Sequence, residues 1–333
     1  MSSTAADRPV VVGLGAVDPS LVTGILGDGV SFVADPGPKD LAVALGAIAR
    51  ADAVVDAAFL DRVPRLRVLA RTGVGVDLVD LPAASARKIP VVITPGSGTR
   101  AVAEGVLAMA LHLVKRLRPL TDLVRQSRWA ERGQVPVGDL DGATMGIVGY
   151  GRIGRRVGEL AEAFGMRLIA YDPFSAPPAD IAAADLTGLA SASDVVTVHV
   201  PMTNQTHHLV DKAFLDHVKP GAVLVNCGRG GLLDLDAALA ALQSGRLAGV
   251  GLDVFDPEPP QHHPLFDHPN VVLTPHLMGL TQRATAATFA DAARGVADVL
   301  AGRRPAAVAN PDWVDPHPSP ATEQPPPLPT EGP

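Results

Sequence analysis

The sequence predicts an α/β fold built on two parallel sheets. Short apolar runs alternate with Ala/Leu-rich helical stretches through the first hundred residues, and a second alternation of the same kind begins at Thr144. With 333 residues, the chain is also too long for one comfortable core and suits two domains.

In the first alternation, runs at Val10–Gly15, Val30–Ala34, Ala53–Val55, Arg67–Ala70 and Val91–Thr94 read as strands. Asp40–Arg50 and Leu81–Lys88 read as the crossover helices between them. A long helix follows: from Val102, the residues Val106, Met109, Leu113 and Leu117 recur at spacings of three and four. This stripe suits either a core-facing helix or a contact between subunits.

The second alternation predicts strands over Met145–Val148, Arg167–Tyr171, Val195–Val200, Ala222–Asn226, Ala248–Val254 and Val271–Thr274. Helices are expected over Ile153–Phe164, Lys212–Val218 and Leu235–Ser244, and one from about Gln282 to Leu300 closes the fold. Past Asn310 the sequence has nine prolines in 23 residues, a composition expected to be disordered.

Composition narrows the function. The net charge of −7 carries no basic block of the kind a nucleic-acid surface needs, so no nucleic-acid partner is expected. The first nine residues are polar and no secretory signal is read there. The longest apolar stretch, Ala101–Val114, is interrupted by Glu104 and His112, so no membrane span is expected either. The one cysteine, Cys227, suits a reducing cytoplasm and reads as a small buried strand residue rather than a nucleophile.

Chemistry enters at GIVGYGRIG, residues 146–154. Gly149-x-Gly151-x-x-Gly154 lies between an apolar strand and an amphipathic helix, the context a dinucleotide-binding turn requires. Its glycines permit a tight turn and close approach to a pyrophosphate, whose charge sits at a helix N-terminus. Asp172 ends the next strand, 18 residues after Gly154. A carboxylate there accepts from both ribose hydroxyls and repels a 2′-phosphate, which points to NAD over NADP.

Three more polar residues follow successive apolar strands: Arg229 after AVLVNC, Glu258 after GLDVFDP and His276 after VVLTP. In an open α/β sheet that edge is the ligand crevice. Glycines 228, 230 and 231 let a ligand approach Arg229, whose guanidinium can grip a carboxylate through two hydrogen bonds. Prolines 257, 259 and 260 stiffen the loop around Glu258. The other histidines, at 207, 208, 262, 263 and 268, have no metal-ligand spacing, so no metal is expected.

With these motifs the chain resembles the D-isomer-specific 2-hydroxyacid dehydrogenases, an NAD-dependent family that includes phosphoglycerate, glyoxylate and hydroxypyruvate reductases. The resemblance runs from about Val10 to Asn310 and rests on RTGVGVDLVD from Arg71, GIVGYGRIG, HVPMTNQT from His199, NCGRGGLLD from Asn226, GLDVFDPEPP from Gly251 and TPHLMG from Thr274. It implies two doubly wound parallel-sheet domains, a Rossmann NAD-binding domain over 100–281 inserted into a flavodoxin-like substrate domain formed by 1–99 and 282–310, with a Pro-rich tail over 311–333. The active site is expected in the crevice between the two. No regulatory domain is expected after the tail, unlike the longer phosphoglycerate dehydrogenases.

The family's catalytic arginine, glutamate and histidine map onto Arg229, Glu258 and His276. Arg229 is expected to bind the carboxylate and polarise the C2 carbonyl, His276 to exchange the proton, and Glu258 to orient His276. The resemblance places NAD against Gly149, Gly151, Arg152, Ile153, Gly154 and Asp172, against His199, Val200, Pro201 and Thr206, and against Cys227, Gly228, Asp253, His276 and Gly279. Asp253 corresponds to the residue near the nicotinamide carboxamide. Substrate is expected at Val74 and Gly75 as well as Arg229, with Arg71 a candidate for holding a phosphate. The expected partners are a small 2-keto or 2-hydroxy acid and a second copy of the chain in a homodimer. Gly98, Arg100 and Gly105 depart from the family pattern near the domain crossing. Some relatives are NAD-sensing corepressor scaffolds that keep the same three residues, and turnover distinguishes that role from an enzyme's.

Overall fold

The computed structural model describes residues 8–313, which fall into two compact units. One joins the segment ending at Ser97 to the segment beginning at Arg283; the other is Gly98–Gln282.

The first unit is a parallel sheet of five strands: β1 (Val10–Leu14), β2 (Ser31–Val33), β3 (Ala44–Ala49), β4 (Val68–Arg71) and β5 (Val91–Val92). Their order, β2-β1-β3-β4-β5, is that of the flavodoxin-like doubly wound fold. The helix Gln282–Leu300 covers one face, packing Phe289, Ala292, Ala293 and Val296 with Val11, Ile48 and Val68. Past that helix, Asn310 is buried and closes the unit: its Oδ1 accepts from Val91 N at 2.8 Å, and its Nδ2 donates to Ile89 O at 2.9 Å.

Here the structure corrects the sequence reading. The helix expected over Asp40–Arg50 covers only Pro38–Val43, and Ala44–Ala49 is a central strand between β1 and β4. Ala and Leu favour helix locally, but tertiary packing overrides the preference. A Cβ on Gly46 would lie 2.8 Å from Val296 Cγ1, so small residues are what this strand needs beneath the closing helix. The strand expected at Ala53–Val55 is reduced to a single bridge between Val55 and Val79. Trp313, expected in a disordered tail, is buried; residues 314–333 lie outside the described residues.

The second unit is a six-stranded parallel sheet: β6 (Thr144–Val148), β7 (Arg167–Tyr171), β8 (Val195–Val198), β9 (Ala222–Asn226), β10 (Leu247–Leu252) and β11 (Val271–Leu273). Its order is β11-β10-β9-β8-β6-β7. The chain steps outward from β6 to β7 and then returns to β8 on the other side. This topological switch point is where ligands bind in such sheets. The inner strands β6, β8 and β9 are largely apolar and buried throughout, as parallel strands covered on both faces must be.

The helix Thr99–Val114 lies against this sheet, with Val106, Met109 and Leu113 in its core. Gly249 and Gly251 of β10 face Leu113 and Met109, so the helix approaches the strand closely. The apolar stripe does not continue to Leu117 as expected. Arg116 takes a left-handed conformation at φ 53°, and Leu117 begins a separate helix with 47% of its surface exposed. Among the described residues no helix is long and apolar enough to cross a membrane.

Candidate active site

The glycine turn leaves β6 at the switch point. Gly149 has φ +95°, and a Cβ there would lie 2.7 Å from the backbone of His199 and Val200. A Cβ on Gly154 would collide with the Gly149 carbonyl oxygen. Gly151 differs: it precedes the helix Arg152–Ala163, no side chain caps that helix, and the space its Cβ would fill is open. Unsatisfied N–H groups of the first turn, among them those of Arg152 and Ile153, therefore face an open cradle, and this arrangement fits a pyrophosphate.

Asp172, just past β7, ties this turn to the next loop. Its Oδ2 accepts from Tyr150 N at 2.7 Å, and its Oδ1 accepts from Phe174 N at 2.7 Å and Ser175 N at 3.0 Å. Across the switch point, His199 N donates to Val148 O at 2.6 Å. The His199 ring pairs through Nε2 with Thr197 Oγ1 at 2.9 Å, while Nδ1 is buried with no partner. Burial pushes the His199 pKa down to about 4, so the ring is neutral near pH 7.

Beside these residues, Val200 is buried and Pro201 exposed at the start of the loop that follows. Thr206 and Cys227, both expected at the cofactor, have buried side chains. Thr206 is buried and donates its hydroxyl to Pro201 O at 2.7 Å, closing the 201–206 loop. Cys227 is buried with Sγ 4.0 Å from Met109 Sδ, and burial, with Asp253 adding to it, raises its pKa to about 12.

The carboxyl ends of β9, β10 and β11 carry the reactive groups. Arg229 is extended at φ −140°, and its Nη1 donates to Gly228 O at 2.9 Å. The turn beneath it is shaped by Asn226, which sequence reasoning passed over. That residue is buried, donates Nδ2 to Arg229 O at 2.8 Å and accepts from Gly228 N at 3.0 Å. A polar residue ending a buried apolar strand was the signal available.

Glu258 and His276 come together. Glu258 Oε2 lies 2.8 Å from His276 Nδ1, and Oε1 accepts from Phe255 N at 2.9 Å. A carboxylate only accepts, so Nδ1 carries the hydrogen and Nε2 is left for proton exchange. His276 sits at φ +56°, a left-handed conformation that favours glycine and in other residues occurs mostly where surrounding structure enforces it.

The enforcing group is Asp253, which is buried at the end of β10. Its Oδ1 accepts from Thr274 Oγ1 at 2.6 Å and Leu277 N at 2.9 Å, and its Oδ2 accepts from Met278 N at 3.1 Å. Gly279 follows, and a Cβ on it would lie 3.3 Å from Val102 Cγ2.

In the other unit, the expectation that Arg71 holds a substrate phosphate is corrected. Arg71 is only 3% exposed, and its guanidinium donates to the carbonyls of Arg50, Ala51 (2.9 Å), Ala53 (3.3 Å) and Gly75 (3.3 Å). Burial lowers its pKa, with Asp77 and Asp52 acting in the opposite sense. A guanidinium enclosed by four carbonyls has no fork left for an anion; it ties the 50–53 loop to the loop of Val74 and Gly75. Val74 itself is 50% exposed. Among the described residues no group of three or more His, Cys, Asp or Glu is placed to hold a metal.

Residues 107–278 match the family model described as D-isomer specific 2-hydroxyacid dehydrogenase, NAD binding domain. The chain is 38% identical over 305 residues to D-3-phosphoglycerate dehydrogenase of Mycobacterium bovis, covering 88% of this chain and 57% of that one. Against the Synechocystis D-3-phosphoglycerate dehydrogenase it is 40% identical over 242 residues, covering 72% and 44%. It thus spans about half the length of these curated relatives. Among solved structures it is similar to the TT0316 protein of Thermus thermophilus (TM-score 0.79, 34% identity, 90% of this chain and 99% of that one). It is also similar to D-lactate dehydrogenase from Aquifex aeolicus complexed with NAD and lactic acid (TM-score 0.76, 28% identity, 88% and 96%).

Proposed function

We propose that this chain, which belongs to the D-isomer-specific 2-hydroxyacid dehydrogenase family, interconverts a small D-2-hydroxy acid and its 2-keto acid with NAD. The observation that carries this reading is the Glu258–His276 pair at 2.8 Å, on the same sheet edge as the open glycine turn. A proton-exchanging group and a dinucleotide cradle are the two things such a reaction needs.

NAD, when bound, supplies the hydride chemistry. The chain's own residues do the rest. His276 holds at Nε2 the proton that the C2 oxygen gains in reduction and returns in oxidation. Glu258 keeps Nδ1 engaged and the ring oriented. Arg229 grips the substrate carboxylate and presents N–H donors where negative charge develops on the C2 oxygen. Asp172 Oδ2 accepts one backbone bond and keeps a lone pair for a ribose hydroxyl, while its charge repels a 2′-phosphate.

For the substrate we propose an acid of the 3-phosphoglycerate, glyoxylate or hydroxypyruvate type. The deciding experiment is NADH oxidation scanned against glyoxylate, hydroxypyruvate, pyruvate and phosphohydroxypyruvate. Turnover of at least one is expected. NADH binding with no turnover on any of them would leave an NAD-binding scaffold instead.

The partner we propose is a second copy of the chain, docked on the segment where Leu117, Val124, Trp129 and Val137 are all exposed. Mass by light scattering should be twice that of the chain. The single buried cysteine suits a reducing cytoplasm.

A further inference from the structure

The loop that carries His276 is held from two directions. Beneath it, Asp253 takes hydrogen bonds from Thr274, Leu277 and Met278, the residues flanking His276 on both sides. Beside it stands the start of the helix Thr99–Val114. Met278 packs with that helix, and its side chain occupies the space that a Cβ on Gly105 would take. Such a Cβ would lie 2.6 Å from Met278 Sδ and 2.8 Å from both its Cβ and its Cγ. Gly98, at the N-terminal end of the same helix, differs: a Cβ there would lie 3.4 Å from the Gly279 carbonyl oxygen, an ordinary contact, so the crowding is particular to Gly105.

We propose that Gly105 is a positioning residue for proton transfer: its missing side chain seats Met278 and thereby sets the His276 ring against Glu258. The inference rests on the reading of His276 as the proton donor. Because Met278 is fixed at its backbone by Asp253, it cannot yield to a new methyl group by swinging its far end alone. Three of its side-chain atoms, including Cβ, would be too close. Carbon contacts relax to about 3.5–4.0 Å, so the loop must move by about 1 Å. Misplacement on that scale costs about 100-fold in rate when the moved group is a reacting one.

Local helix physics predicts the opposite for the same substitution. Alanine is a better helix former than glycine in a helix interior, so Gly105→Ala would be a harmless or stabilising change if the residue only served the helix.

The test compares the wild type with Gly105→Ala, Met278→Gly and the double variant. Gly105→Ala should lose kcat by about 100-fold with NADH affinity, read by fluorescence titration, nearly unchanged. Adding Met278→Gly to it, which removes all three crowding atoms, should restore kcat to the level of Met278→Gly alone. Amide exchange supplies a readout that needs no turnover: the Leu277 amide, which donates to Asp253, should lose protection in Gly105→Ala and regain it in the double variant. If the wild type turns over no keto acid, the functional reading fails and the exchange pattern alone decides the loop's role. Normal kcat in Gly105→Ala from an active wild type, unchanged exchange, or a loss that Met278→Gly does not rescue would each overturn the proposal.

Discussion

Acid should destabilise the nucleotide unit through His199, and the size of the effect follows from the ring's surroundings. Its Nδ1 is buried without a partner, so a second proton on the ring would meet no acceptor. The folded pKa is about 4 against an ordinary value of 6.5. Because the folded value is depressed, the unfolded chain binds one more proton throughout the window between the two. The stabilisation is complete above pH 6.5 and is lost as pH falls through 4. The gap of 6.5 − 4 = 2.5 units, at about 1.4 kcal/mol each, amounts to about 3 kcal/mol. That is a large share of the roughly 5–15 kcal/mol a domain has in total.

The assay is urea unfolding of the wild type and His199→Asn at a series of pH values from about 7 down to about 4.5. Carboxylates contribute equally to both proteins, so the difference in slope isolates the imidazole. The wild type should lose stability more steeply by up to about 1.4 kcal/mol per pH unit. Parallel slopes would mean that His199 finds an acceptor for its second proton and that the burial argument is wrong.

Arg229→Lys keeps the charge but loses the planar fork, so kcat/KM should fall about 100-fold, about 3 kcal/mol, with NADH affinity little changed; near-normal turnover would remove Arg229 from the site. The wild type should prefer NADH to NADPH clearly in steady-state kinetics, and Asp172→Ala should narrow the gap mainly through the cofactor KM; equal use of both by the wild type would refute the role of the carboxylate. Arg71→Lys should lower the melting temperature and raise KM for phosphorylated and unphosphorylated keto acids alike, since it loosens the loop rather than a phosphate contact. A KM effect confined to phosphohydroxypyruvate would reinstate Arg71 as an anion ligand.

Much of the nucleotide unit was legible because its elements carry their own signals. The strands Arg167–Tyr171 and Ala222–Asn226 have the bounds expected, each being a short apolar run closed by a polar or glycine turn. The glycine turn was legible for a related reason: a backbone that must turn tightly beneath a ligand restricts sequence locally. What failed were features decided elsewhere in the chain. Ala44–Ala49 is a strand because Val296, near the other end of the described chain, needs flat ground at Gly46. Arg71 looked like a ligand because it is a charge at a strand end, yet four carbonyls from two loops enclose it. Gly105 stood out only as an oddity; its contact with Met278 joins the two ends of its unit, and no local pattern encodes it.

The buried thiol of Cys227 has a practical consequence. It is the chain's one cysteine, and a pKa of about 12 leaves almost no thiolate near neutral pH. The native thiol should therefore resist alkylating reagents and peroxide, and labelling of Cys227 becomes a clock for exposure of the carboxyl end of β9. A cysteine placed at an exposed position such as Val74 or Phe164 would react alone, without first removing the native one. Dyes or spin labels at two such positions would report the distance between the units directly, with the natural thiol left in place as an internal gauge of whether the sheet has stayed closed.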